Sequence, residues 1–217
     1  MAGPSKIIRL VGAPKAAEPD ARALDPAELV RALRAGEAWA ERLFLETQTA
    51  HVERILVRIL GLRCELDDLT QEVFTRAFAR LDELREPDAL RSWLSAITVF
   101  VAREAIRRKR RRRWLVFLPD EDAPEIAVEP ASAEARAALR AFYEVVNRLD
   151  ADTRIAFTLR CVGGMELTEI AEACDVSLAT IKRRIRRAVN DFYLRGRARP
   201  ELVDWFEEGT RWRATKS

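Results

Sequence analysis

The stretch Leu167 to Val189, LTEIAEACDVSLATIKRRIRRAV, decides the fold class of this chain. Ile170, Ala171 and Val176 supply apolar contacts for two short helices meeting at Asp175-Val176-Ser177. Ser177 is a good cap for the second helix, and Asp175 stands at the turn, where aspartate tolerates left-handed backbone. Ile181, Ile185, Ala188 and Val189 then recur at i, i+4, i+7 and i+8, which defines one buried stripe. The pattern predicts a helix-turn-helix. Its outer face holds Ala179, Thr180, Arg183, Arg186, Arg187 and Asn190, flanked by Lys182 and Arg184. No acid interrupts Ser177 to Asn190, so the face suits a major groove, with cations on phosphates and N-terminal residues at base edges. One bidentate arginine–guanine contact there would discriminate by roughly 1–3 kcal/mol.

A hundred residues upstream, Asp67 to Phe78 (DDLTQEVFTRAF) predicts an amphipathic helix. Leu69, Val73, Phe74, Ala77, Phe78 and Leu81 share one side, and Asp68, Gln71, Glu72 and Thr75 share the other. Acids in a first turn also complement the helix dipole, so the periodicity alone leaves their purpose open. The next helix starts near Asp88, with Leu90, Leu94, Ile97 and Val101 as core and Trp93 at the border. Ser92, Ser95, Val99 and Arg103 are expected to point away from that core. The helix runs into Arg107 to Arg113, RRKRRRR, far more cations than a helix terminus needs. A phosphate backbone accounts for the excess better than a solvated face does.

Composition sets the bounds. The 217 residues are 48% hydrophobic and 34% charged, as suits small helical domains, and the net charge of +3 hides strong clustering of the cations. Cys64, Cys161 and Cys174 are far apart and His51 is the sole histidine, which argues against a zinc site, a metal centre or a disulfide framework. The three thiols are expected to be buried or half-buried. No apolar run is long enough to span a bilayer, and no secretory signal opens the chain, so a cytoplasmic protein without membrane insertion is expected. Nucleophile, metal-ligand and glycine-loop patterns are lacking, so neither a catalytic residue nor a cofactor is expected.

Along the chain, Asp25-Pro26 opens the first helical block as cap and first helical residue. That block runs to Arg113 with breaks near Gly61 and Glu86-Pro87-Asp88. Trp114 to Leu118 is a short apolar run without helical context. The acid- and proline-rich Leu118 to Ser132 reads as a linker. A second helical block spans about Ala133 to Arg195, and Gly196 to Ser217, with Trp205, Phe206 and Trp212, forms either one packed helix or a tail.

Three tracts in this order, DDLTQEVFTRAF, RSWLSAITVFVAREAIRRKRRRR and LDADTRIAFTLRCVGGMELTEIAEACDVSLATIKRRIRRAV, resemble the bacterial RNA polymerase sigma factors. The similarity is to the sigma-70 family, extracytoplasmic-function (ECF) group, and covers about residues 25 to 195. It implies an all-α protein of two small helical domains joined by a flexible linker, the second containing the helix-turn-helix. The implied boundaries are a mobile tail over 1–24, a region 2-like domain over 25–117, a linker over 118–132, a region 4-like domain over 133–195 and an extension over 196–217. Function would then be to bind core RNA polymerase at its clamp helices and flap tip, and to recognise and melt promoter double-stranded DNA. Asp68, Gln71, Glu72 and Thr75 would meet polymerase. Arg103, Arg107, Arg108, Lys109, Arg110 and Arg111 would guide DNA near the −10 element, and the loop Asp82 to Ala89 would capture a flipped base of the melted strand. Thr180, Lys182, Arg183, Arg184, Arg186 and Arg187 would read the −35 element.

The resemblance further implies an anti-sigma factor as a candidate partner and a nucleoid-associated location. Four positions depart from the family pattern: Phe100 and Glu104 replace an Asn and an Asp, Glu166 replaces a small cap, and Arg183 replaces a small residue. Two other readings fit part of the chain. A free-standing helix-turn-helix regulator would use the first block for dimerisation and bind duplex DNA without polymerase. A pure protein-interaction module would not need the cations of the recognition helix.

Overall fold

The computed structural model describes residues 25–61, 65–115 and 133–202, and these are almost entirely helical. In chain order the helices are α1 (Pro26–Ala35), α2 (Ala38–Leu60), α3 (Leu66–Ala79), α4 (Leu90–Leu115), α5 (Ala133–Val146), α6 (Ala151–Cys161), α7 (Leu167–Cys174) and α8 (Leu178–Gly196). Short 3-10 turns lie at Leu81–Glu83, Pro87–Ala89 and Pro200–Leu202, and no strand occurs among the described residues. The architecture is therefore all-α, as expected. The anticipated tail over 1–24, the whole linker over 118–132, Cys64, and Trp205, Phe206 and Trp212 lie outside the described residues.

The helix starts follow local chemistry. Asp25 accepts the Ala27 amide at 3.1 Å, and Pro26 takes the first helical position, where no amide is required. One break escaped the sequence reading: Gly36, at φ 71°, ends α1 in left-handed backbone and starts α2 two residues later. The apolar run after Arg113 differs too, because Trp114 and Leu115 continue α4 rather than leaving it.

In the first block, α2 packs on α1, α3 and α4 around Phe44, which meets Phe74 and Phe78 edge-on with centroids at 5.6 and 5.8 Å. Leu90, Leu94, Ile97 and Val101 are buried as their spacing requires. Ser95 and Val99, however, are also buried, against expectation. The reason is that α4 touches α2, α3, α6 and α7, so it is enclosed on more sides than a helix at the edge of a small bundle.

In the second block, Phe142, Phe157 and Phe192 gather from α5, α6 and α8, with centroids 5.2 to 6.0 Å apart. Leu202 closes the same cluster and is fully buried. Ile155, Leu159, Ile170, Ile181 and Ile185 turn the other way and join the core of the first block. The two helical blocks thus share one continuous apolar core, a contact that no periodicity within a single helix announces.

Candidate functional site

The helix-turn-helix is built as the local sequence dictates. Glu166 opens α7, its amide held by the Glu169 carboxylate at 2.8 Å, so the glutamate does the work of a smaller cap. Asp175 is the sole non-glycine residue with positive φ among those described, at 53°, and makes the left-handed turn. Ser177 Oγ then accepts the Thr180 amide at 3.2 Å and starts α8. Ile181, Ile185 and Ala188 are buried, which leaves Lys182, Arg183, Arg186 and Arg187 exposed together on the outer face, with Thr180 half-buried beside them.

Arg184 behaves differently. Its side chain is only 21% exposed and its Nη2 lies 3.7 Å from Asp152, at the start of α6. Its Nη1 is buried without a hydrogen-bond acceptor. The same Asp152 receives Arg103 of α4, Nε to Oδ1 at 2.8 Å, and has Arg107 within 3.8 Å. One carboxylate therefore gathers three arginines, two from the −10 candidates and one from the −35 candidates. Cys174 lies in the same electrostatic surroundings, and burial pushes its thiol up to about 11, so it is an inert core residue. Burial likewise raises the Cys161 thiol far above its ordinary range.

On α3, Asp68, Gln71 and Thr75 are exposed and share one face at i, i+3 and i+7. Glu72 sits beside them but is engaged, with Arg76 at 2.7 Å and Arg108 at 3.1 Å. Arg76 also pairs with Glu104 at 2.6 Å and lies 5.0 Å above the Phe100 ring. The two departures on α4, Phe100 and Glu104, thus complete a ladder of alternating charge between α3 and α4. Of the remaining −10 candidates, Arg110 and Arg111 are exposed and Lys109 half-buried. The Asp82 to Ala89 segment holds two 3-10 turns, and the Leu84 carbonyl inside it accepts from Arg34.

Sequence reasoning missed a further constellation. An α-helix leaves its last four carbonyls without internal partners. At the end of α2 the Val57 carbonyl accepts the Gly61 amide at 2.8 Å, and those of Arg58, Ile59 and Leu60 are left to find other partners. Tyr143 Oη donates its one proton to Arg58 O at 2.9 Å, with Val57 O also in reach at 3.2 Å. Arg154 donates to the last two, Nε to Ile59 O at 2.9 Å and Nη2 to Leu60 O at 3.1 Å. Both side chains come from the second block. Burial pulls the Arg154 guanidinium down to about 10, still charged at neutral pH, and the negative end of α2 compensates that buried charge. A sequence signal did exist, an arginine at the head of the apolar run Ile155 to Leu159, but it named no partner. Among the described residues no cluster of metal-ligating side chains occurs, and no helix is long and apolar enough to cross a membrane.

These features define a two-block helical protein with an exposed acid-amide face and a basic helix-turn-helix. Family models agree: Sigma-70 region 2 matches residues 46–112, and Sigma-70, region 4 matches residues 139–191, together just over half of the chain. The ECF RNA polymerase sigma-E factor of Haemophilus influenzae is 27% identical over 172 residues, covering 74% of this chain and 89% of the relative. The RNA polymerase sigma-H factor of Pseudomonas aeruginosa is 26% identical over 170 residues, covering 74% and 88%. Among solved structures, the sigma factor RpoE in complex with the anti-sigma factor NepR from Bartonella quintana superposes with a TM-score of 0.54 at 21% identity, over 70% of this chain and 93% of that one. The chain belongs to the sigma-70 family, as a member of its ECF group.

Proposed function

We propose that this ECF sigma factor binds core RNA polymerase and directs it to promoter DNA, with no catalytic step of its own. In this reading Asp68, Gln71 and Thr75 of α3, with Glu72 at their border, meet the polymerase clamp helices. The second block takes the flap tip and lays α8 in the −35 major groove through Thr180, Lys182, Arg183, Arg186 and Arg187. Arg107, Arg108, Lys109, Arg110 and Arg111 guide the duplex near the −10 element, and the Asp82 to Ala89 segment receives the extruded base. Binding energy, rather than chemistry, then favours the melted state.

One observation carries the reading: a single chain exposes an acid-amide face on α3, with Asp68, Gln71 and Thr75 turned to solvent, and a face on α8 whose charges from Lys182 to Arg187 are all positive. A free-standing regulator needs only the second of these. An anti-sigma protein is a further proposed partner, in line with the complex of the related fold. The protein's place of action is then the cytoplasm, at the nucleoid.

The test is run-off transcription with purified core polymerase on a genomic fragment library. Polymerase-dependent transcripts sharing one upstream sequence are expected. Equal binding to duplex DNA with and without polymerase, and no transcript, would establish the free-standing regulator instead.

A further inference from the structure

A loop that tells one base from another has to hold its contacting groups to within about 0.5 Å, so what fixes the Asp82 to Ala89 segment matters as much as what it presents. Its two ends close on themselves. The Leu84 amide bonds Leu81 O at 3.2 Å and the Ala89 amide bonds Glu86 O at 3.0 Å, one at each 3-10 turn. Ser92 Oγ, from the start of α4, adds a bond to the Ala89 carbonyl at 3.0 Å. Between the turns Leu84 is extended, at φ −70° and ψ 108°, and its side chain is buried. Arg85 and Glu86 follow it and are exposed, with Asp88 exposed just beyond. The Arg85 and Glu86 amides find no backbone acceptor, so local hydrogen bonding does not shape this apex.

Arg34 supplies the missing hold. It comes from the last turn of α1, 50 residues away, and its Nη2 donates to the Leu84 carbonyl while its Nε stands 3.9 Å from Asp82 Oδ1. Among the described residues it is the one side chain from a distant element that bonds the backbone of this segment. Its own helix is well seated, because Val30, Ala32 and Leu33 are buried and α1 packs on α2 and on both 3-10 turns. The pair with Asp82 contributes little by charge, since that carboxylate is almost wholly exposed. Its use is directional: a planar fork meeting two points sets the angle of the loop as well as its distance, which a lysine ammonium cannot do. An arginine in a last turn also suits the helix dipole, but that role asks only for proximity to the carbonyls of α1. Arg34 reaches across to Leu84 instead.

We propose that Arg34 is a positioning residue for promoter reading: by holding Leu84 O, with Asp82 beside it, against α1, it fixes the exposed apex Arg85–Glu86 and so determines which base the segment accepts. Arg34 itself does not touch the base. A substitution there then alters preference at one promoter position rather than promoter strength as a whole. The inference rests on the reading of Asp82 to Ala89 as the receiver of an extruded base.

The test uses holoenzyme assembled from core polymerase and the full-length chain, as parent, Arg34→Ala or Arg34→Lys. Run-off transcription is measured at one salt concentration on templates that carry each of the four bases at every −10 position in turn, with a matching set for the −35 element. Thermal denaturation of each free protein records any loss of stability.

For the parent, one −10 position should discriminate by on the order of ten-fold or more, the usual penalty for one wrong base pair. Arg34→Ala should shrink that ratio several-fold at that position alone, while the −35 preferences and the affinity for core polymerase stay as in the parent. Arg34→Lys, which keeps the charge and one donor, should fall between the two. An Arg34→Ala ratio equal to that of the parent overturns the inference. So does a uniform drop across all templates that tracks a lowered melting temperature, because it marks a purely structural contact. Should the alanine variant fail to assemble, the lysine ratio decides in the same way. A parent that discriminates at no −10 position overturns the base-receiving reading itself, and this inference with it.

Discussion

Tyr143 occupies the space that a side chain at Gly61 would need: a β-carbon there would lie 2.7 Å from its Cδ1. Gly61 also has φ 72°, so the residue ending α2 is constrained twice, by its backbone and by a ring from the other block. Gly61→Ala should therefore destabilise the protein by at least the ~1–2 kcal/mol of left-handed backbone. The steric share should vanish in a Tyr143→Ala background, leaving the backbone share, and urea denaturation of the four proteins of that cycle measures both.

On α3, Asp68→Ala combined with Gln71→Ala should abolish association with core polymerase while the far-ultraviolet spectrum is unchanged. Both side chains are exposed, so little stability depends on them. Glu72→Ala is a different experiment. It breaks pairs to Arg76 and Arg108, each worth about 0–1 kcal/mol at this exposure, and should lower the melting temperature slightly as well. Pull-down with core enzyme beside thermal denaturation separates the two effects; retained pull-down by the double variant refutes the interface.

Charge reversal on the recognition helix should divide the two binding activities. Arg183→Glu or Arg187→Glu is expected to weaken promoter binding and leave polymerase association intact, since both residues are on the exposed face of α8. If the lost contact is to phosphate, the slope of log affinity against log salt should fall by about 1 per contact removed. If it is to a base edge, the loss of roughly 1–3 kcal/mol should appear only on the cognate sequence.

His51 predicts an acid-sensitive core. Burial, with help from Arg91, Arg54 and Arg58, pulls its pKa down to about 4 from the usual 6.5, and its Nε2 lies 2.8 Å from Ser95 Oγ. The unfolded chain thus binds a proton at higher pH than the folded one. The contribution is complete above pH ~6.5 and is lost as pH falls towards 4. His51→Gln should flatten the slope of stability against pH within that window, measured by urea midpoints at several pH values. An unchanged slope would show that the imidazole titrates normally.

The sequence was most legible where one helix face is decided by its own residues. The Ile181–Ile185–Ala188 stripe, the Ser177 cap and the left-handed Asp175 each follow from local chemistry, and so does the buried stripe from Leu90 to Val101. What stayed hidden depends on long-range packing. Ser95 and Val99 read as outward residues because nothing in α4 itself announces that helices α2, α3, α6 and α7 all pack on it, and His51 of α2 is the side chain that meets Ser95. Arg103 and Arg184 looked like free cations because Asp152, which pairs with both, is 49 and 32 residues away along the chain. Gly36 was missed for the opposite reason, as a single glycine in a helical pattern reads equally well as a tolerated defect.

Leu202 has one last consequence. It is buried to zero exposure among Phe142, Phe157 and Phe192, and Arg199 just before it reaches Glu144 at 2.6 Å. The reading head of this protein accordingly has its floor laid by residues that come after the motif itself. An expression fragment trimmed at Asn190, where the basic face stops, would be missing a wall of its own interior, and would report on a damaged module rather than on DNA recognition.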